Sequence, residues 1–181
     1  MDMKEKTISS ELRYDGKIIK LHIDKVICPN GREALREIVR HPGGVAVVAV
    51  DDDGYVYMVR QYRIPYDEIM LEVPAGKLDM GENPDLAACR ELREETGLVA
   101  DKIVSMGNFY PTVGFCDENL RMYIATGLHQ GDTDPDEDEF IDVEKIHMDT
   151  LTDMIMNNEI RDGKTIAAVL KAREYINRHN I

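Results

Sequence analysis

The sequence predicts a mixed α/β domain, a β-sheet with helices packed on it, preceded by a small amino-terminal β-hairpin. Three observations predict it. Short β-branched or alternating runs recur between turn signals. One helix in mid-chain has a start and a stop written into it. Two further helical stretches close the chain.

Taken in order, Ile18 to Ile27 alternates apolar and polar residues as a half-buried strand does. Pro29-Asn30-Gly31 marks a turn and Ala34 to Val39 resumes as a strand, which together make the hairpin. His41-Pro42-Gly43-Gly44 breaks the chain. Val45 to Val50 is a continuous apolar run, expected as a strand buried on both faces. Asp53-Gly54 turns it into a second strand, Tyr55 to Tyr62. Ile69 to Val73 is a short strand stopped by Pro74. Strands are expected again at Val104 to Tyr110, Leu120 to Thr126 and Phe140 to His147, the last preceded by an acidic loop. Asp149 is a cap for a helix running to about Asn158. Lys164 to Asn177 spaces Ile166, Val169, Leu170 and Ile176 as a helix with one apolar face.

The 181 residues suit one domain with a single core, and 43% hydrophobic residues exclude a disordered chain. A formal charge of −13 argues against a nucleic-acid backbone as partner, though bound cations can still reverse the field locally for a small anionic substrate. Cys28, Cys89 and Cys116 have neither the spacing of a zinc site nor an even count for disulfides, which suits a reducing compartment. The polar stretch Met1 to Ser10 lacks the apolar core of a signal peptide, and Val45 to Val50 is too short to span a bilayer. The expected location is the cytoplasm, with no membrane partner.

The chemistry is concentrated in Gly76 to Leu98, GKLDMGENPDLAACRELREETGL. Asn83 caps a helix, Pro84 opens it and Gly97 suits the position past its end. At about 100° per residue, Glu91, Glu94 and Glu95 fall within an arc of about 100°, while Leu86, Ala88, Cys89 and Leu92 take much of the rest. Clustered carboxylates repel one another unless a positive charge sits among them, and a hard divalent cation is the natural partner. Glu82 adds another oxygen from the loop, and Arg90 can orient a glutamate. Taken alone, a run of this kind is ordinarily a solvated acidic face.

The spacing as a whole departs from that ordinary case. Gly76, Glu82, Arg90-Glu91-Leu92, Glu94-Glu95, Gly97 and Leu98 resemble the Nudix box at every defining position. The resemblance implies an α/β/α sandwich with a mixed sheet, and hydrolysis of a nucleoside diphosphate linked to another group. It implies Mg²⁺, with Mn²⁺ as substitute. By position, Glu91 and Glu95 are the implied principal metal ligands. Glu94 is a further or water-mediated ligand with a catalytic part, Glu82 supports the site, and Ala75 offers its carbonyl.

Three more segments resemble the ADP-ribose pyrophosphatase branch: Val59 to Pro65 with Glu72 to Gly76, Phe109 to Glu118, and Asp136 to Ile141. That resemblance implies Glu139 as general base with Glu137 in reserve. Arg63 is the candidate for a phosphate or ribose contact, since guanidinium suits phosphate geometry, Gly114 is a further substrate candidate, and Arg36 in the hairpin is the candidate to reach the site of a second subunit. Tyr62 and Tyr66 are candidates to stack on adenine. It further implies a homodimer formed through residues 1–40, with residues 41–181 as the hydrolase domain. The branch usually carries proline before the glycine that matches Gly114. Val113 stands there, with Pro111 earlier, so another nucleoside diphosphate sugar or a dinucleotide remains an alternative to ADP-ribose. A non-catalytic nucleotide-sensing module is expected to lose box glutamates, and all four are present.

Overall fold

The computed structural model describes residues 2–131 and 140–179. The chain divides into two compact units, Met1–Gly43 with Tyr110–Asn119, and Gly44–Phe109 with Leu120–Ile181.

The first unit is built on a three-stranded antiparallel sheet, β1 (Lys6–Asp15), β2 (Lys20–Ile27) and β3 (Glu33–Arg40). The expected hairpin is β2–β3, turned at Gly31 with φ 81°. β1 is an addition to it. All ten of its residues are exposed in this chain, and pairing with β2 over Lys6 to Asp15 forms it. The segment Tyr110–Asn119 joins this unit through β3. Val39 N–H donates to Phe115 O at 2.7 Å, and Asp117 N–H donates to Val39 O at 3.1 Å. Asp117 also accepts from Arg40 and from the His41 amide.

The second unit contains a seven-stranded mixed sheet. β4 (Gly44–Val50) lies at its centre, parallel to β9 (Leu120–Gln130) and antiparallel to β5 (Tyr55–Arg63). β10 (Asp142–His147) and β8 (Leu98–Phe109) lie at the two ends of the path, while β6 (Glu68–Glu72) pairs with β5 and β7 (Ala75–Lys77) with β4. Three helices complete it: α1 (Pro84–Thr96), α2 (Met148–Met156) and α3 (Gly163–His179).

Every residue of β4 is buried, as its unbroken apolar run requires, and alternate side chains enter different cores. Val45, Val47 and Ala49 pack with Ala87, Ala88 and Leu92 of α1. Ala46, Val48 and Val50 pack with Leu151 of α2 and Ala168, Val169 and Ala172 of α3. The result is the α/β/α sandwich, α1 on one face of the sheet and α2–α3 on the other. Each fully buried Val or Leu in these layers contributes about 1.5–3 kcal/mol.

Local chemistry moves one helix start. Asp149 does not cap α2; His147 does, its Nδ1 accepting from the Asp149 amide at 3.3 Å. α3 starts where Asp162 Oδ2 accepts from the Thr165 amide at 3.0 Å. Among the described residues no helix is long and apolar enough to cross a membrane.

Candidate active site

The site begins where β7 enters the box. Pro74 O accepts from Val47 N–H at 2.8 Å, and Gly44 to Ala46 pair with Ala75 to Lys77. The strands approach so closely that a Cβ on Gly44 would lie 2.5 Å from Gly76 O. The chain turns at Gly81, with φ 80°, and Asp79 N–H donates to Glu82 Oε2 at 3.0 Å. Asn83 then caps α1 by accepting from Asp85 N–H at 2.8 Å, and Gly97 ends it at φ 70°. Tyr123 Oη donates to Asp85 Oδ1 at 2.8 Å, tying the first turn of α1 to the sheet.

This frame brings the box carboxylates to β7. The Glu91 carboxylate packs directly on Gly76: a Cβ there would sit 2.0 Å from Glu91 Cδ, so any other residue would displace the carboxylate. One turn along, Glu95 Oε2 accepts from Ala75 N–H at 2.9 Å. Both glutamates are buried, at 8% and 6% exposure, an arrangement that costs free energy unless cations oppose it.

Arg90 opposes part of that charge. Its Nε and Nη2 donate to Glu82 at 2.9 and 3.0 Å, and its Nη1 donates to Glu91 and Glu94, both at 2.8 Å. Arg90 therefore gathers three carboxylates rather than orienting one. Its hydrogen bonds to Glu82 are the largest influence raising its own pKa. In return Arg90, then the Asp79 amide, hold the Glu82 carboxyl below its usual range against the opposing effect of desolvation.

The donor set suits a hard divalent cation: Glu91 lies on Gly76 and Glu95 on the Ala75 amide, while Glu82 and Glu94 are joined to Glu91 through Arg90. Among the described residues, no three acidic, histidine or cysteine side chains already converge at metal-binding spacing. Mg²⁺ does not demand that. It keeps several waters and takes one or two carboxylates, with substrate phosphates completing its shell.

Arg63 lies at the end of β5 and is bound bidentately by Glu72, Nε to Oε1 and Nη2 to Oε2, both at 2.7 Å. The hydrogen bonds to Glu72 are the main influence raising its pKa, and the charge of Glu95 adds to them, which puts Arg63 within the field of the box carboxylates. Burial pushes Glu72 up, but Arg63 and Lys164 together hold it below its ordinary value. Tyr62 is exposed near the β5–β6 turn and donates to Asp67 Oδ1 at 2.8 Å. Tyr66 is exposed in the turn itself.

Arg36 and Gly114 belong to the first unit. Arg36 Nε donates to Glu5 Oε2 at 3.0 Å, and Gly114 has open space where a Cβ would be. Glu137 and Glu139 lie outside the described residues. The histidines, which the sequence scatters, include one polar cluster: Ser10 Oγ is 3.1 Å from His22 Nδ1 and donates to the buried Asp24. In it the hydroxyl sits between acid and imidazole, whereas nucleophile activation needs the imidazole between them.

Sequence reasoning assigned no role to Glu72, Asp162 or Lys164. The available signal was an acid, Glu72, between apolar Leu71 and Val73 in a short expected strand.

A NUDIX domain model matches residues 40–169. The chain is 41% identical over 169 residues to the ADP-ribose pyrophosphatase of Bacillus subtilis (strain 168), covering 92% of this chain and 91% of that protein. It is 42% identical over 168 residues to the methanol dehydrogenase activator of Bacillus methanolicus, with the same shares covered. A crystal structure of an ADP compounds hydrolase matches its fold with a TM-score of 0.85 at 19% identity, covering 98% of this chain and 97% of that one. With the box at every defining position and these matches along its length, the chain belongs to the Nudix family of hydrolases.

Proposed function

We propose that this protein hydrolyses the pyrophosphate bond of ADP-ribose to AMP and ribose 5-phosphate, using Mg²⁺, with Mn²⁺ as a substitute. The observation that carries the reading is the convergence of buried Glu91 and Glu95 on Ala75–Gly76, with Arg90 gathering Glu82, Glu91 and Glu94 beside them. The similarity to a relative named ADP-ribose pyrophosphatase supports the choice of substrate.

Glu91 and Glu95 are the principal ligands in this reading, with Glu94, Glu82 and the Ala75 carbonyl in support. A divalent cation held by these residues would supply charge neutralisation at the diphosphate and a lowered pKa for water. Arg90 keeps three carboxylates in place before metal and substrate arrive. Arg63 offers a planar fork to phosphate oxygens, and Tyr62 an aromatic face to the base. Glu139, with Glu137 in reserve, accepts the proton of the water that attacks phosphorus. The bridging P–O bond then breaks and leaves two phosphate monoesters. Glu139→Gln is expected to slow single turnover by about 10²-fold; an unchanged rate removes it from the role.

Residues 1–40 serve, in the same reading, to pair two copies of the chain. Ile8, Leu12, Tyr14 and Leu35 are exposed on this three-stranded sheet, and that pairing would bring Arg36 to the site of the second subunit, with Gly114 a further substrate residue. Sedimentation equilibrium reads the stoichiometry. The three free cysteines suit a cytoplasmic location.

The deciding test is a panel of ADP-ribose, ADP-glucose, GDP-mannose and NADH with Mg²⁺, compared by kcat/KM. ADP-ribose is expected to rank first, with turnover abolished by a chelator. A higher ratio for another substrate gives the activity to that compound instead.

A further inference from the structure

The start of α3 lies on the opposite face of the sheet from α1, yet its side chains reach the end of β6 and Val73, just before β7. Glu72 is 1% exposed and accepts from Arg63 through both oxygens. Lys164 Nζ donates to the same carboxylate, and to Asp162 Oδ2 at 2.8 Å. Asp162 Oδ2 also accepts from Thr165 Oγ1 at 2.6 Å, and Thr165 Oγ1 accepts from the Val73 amide at 3.0 Å. Two residues further along, the Ala75 amide is held by Glu95. One helix terminus thus grips Glu72 by charge and Val73 by its backbone, immediately before the box.

We propose that Glu72 and Lys164 are positioning residues for Arg63, fixing its guanidinium as a phosphate-binding fork. The proposal rests on the reading of Arg63 as a substrate contact. Glu72 takes two of the five guanidinium N–H groups along one edge, which sets the plane in which the others point. A flexible arginine must be ordered at each binding event, whereas a clamped one is ordered in advance. Lys164 makes the clamp tolerable, because a buried carboxylate needs more than one half-exposed partner.

The test is a double-mutant cycle on ADP-ribose hydrolysis with Mg²⁺ at a temperature where every variant is folded. Glu72→Gln, or Lys164→Met if the first does not fold, is expected to lower kcat/KM by about 10- to 100-fold, the range for one charge-assisted contact, mainly through KM. In an Arg63→Ala background the same substitution is expected to change kcat/KM less than about twofold. Multiplying effects would show a structural role and overturn the proposal. If Arg63→Ala alone leaves kcat/KM intact, both the substrate contact and its positioning fail, while metal-dependent hydrolysis by the box stands.

Discussion

Two charge clusters in the second unit are built on opposite principles. In the box, Glu82, Glu91 and Glu94 gather on Arg90, with Arg93 4.0 Å from Glu94 and Glu95 close behind. Beneath β6, Glu72 and Asp162 face Arg63 and Lys164, two carboxylates against two cations. The first gathers more carboxylates than the guanidiniums these contacts set among them, in a partly buried place; the second sets two against two. A cluster left acidic gains from a divalent cation, whereas a balanced one gains nothing further and serves as scaffold. The contrast separates a site for chemistry from a site for geometry when both are rich in glutamate.

The largest separation is expected from removing one charge in each. Glu95→Gln retains an acceptor for the Ala75 amide, so folding survives, but kcat is expected to fall by about 10³-fold or more, the contribution of several kcal/mol from a bound cation. A fall of less than tenfold would place Glu95 outside the metal site. Gly76→Ala comes next. Its Cβ would overlap the Glu91 carboxylate and push it off the strand, with a loss of about 10²-fold in kcat for a misplacement near 1 Å. Wild-type turnover in that variant would show that Glu91 works without the seat on Gly76.

The smallest effect is on acid stability, and it belongs to the balanced cluster. Burial pushes Glu72 and Asp162 up, but their cationic partners win and both carboxyls lie below their ordinary values of 4.5 and 3.8. Depressed carboxyls contribute stability that is complete above those values and lost as pH falls through the lower, folded-state ones. Denaturant unfolding followed from pH 7 downward is expected to hold level until about pH 4.5 and then weaken, less steeply in Glu72→Gln. Equal slopes in the two proteins would leave the cluster without a part in acid unfolding.

How much of this was legible depended on sequence distance. α1 was read from Pro84 to Thr96 because Asn83, Pro84 and Gly97 mark both ends with local chemistry. Its acidic face was equally plain from periodicity. The packing of Glu91 on Gly76 was not, since it depends on a close approach between α1 and β7, and β7 has only three residues. The Glu72–Lys164 pair spans 92 positions and leaves no periodic trace. β1 carries a signal, apolar Ile8, Leu12 and Tyr14 at positions of the same parity among polar residues, but a thin one on a strand whose ten residues are all exposed. Residues 137 and 139, which the resemblance assigns to the base, stand outside the described residues.

The most direct measurement titrates Mn²⁺ into the protein and follows the free-ion electron paramagnetic resonance signal, for wild type, Glu95→Gln and Glu72→Gln. If the acidic cluster is the metal centre, wild type and Glu72→Gln bind the ion alike and Glu95→Gln binds it at least about tenfold more weakly. Equal binding by all three proteins would contradict the account.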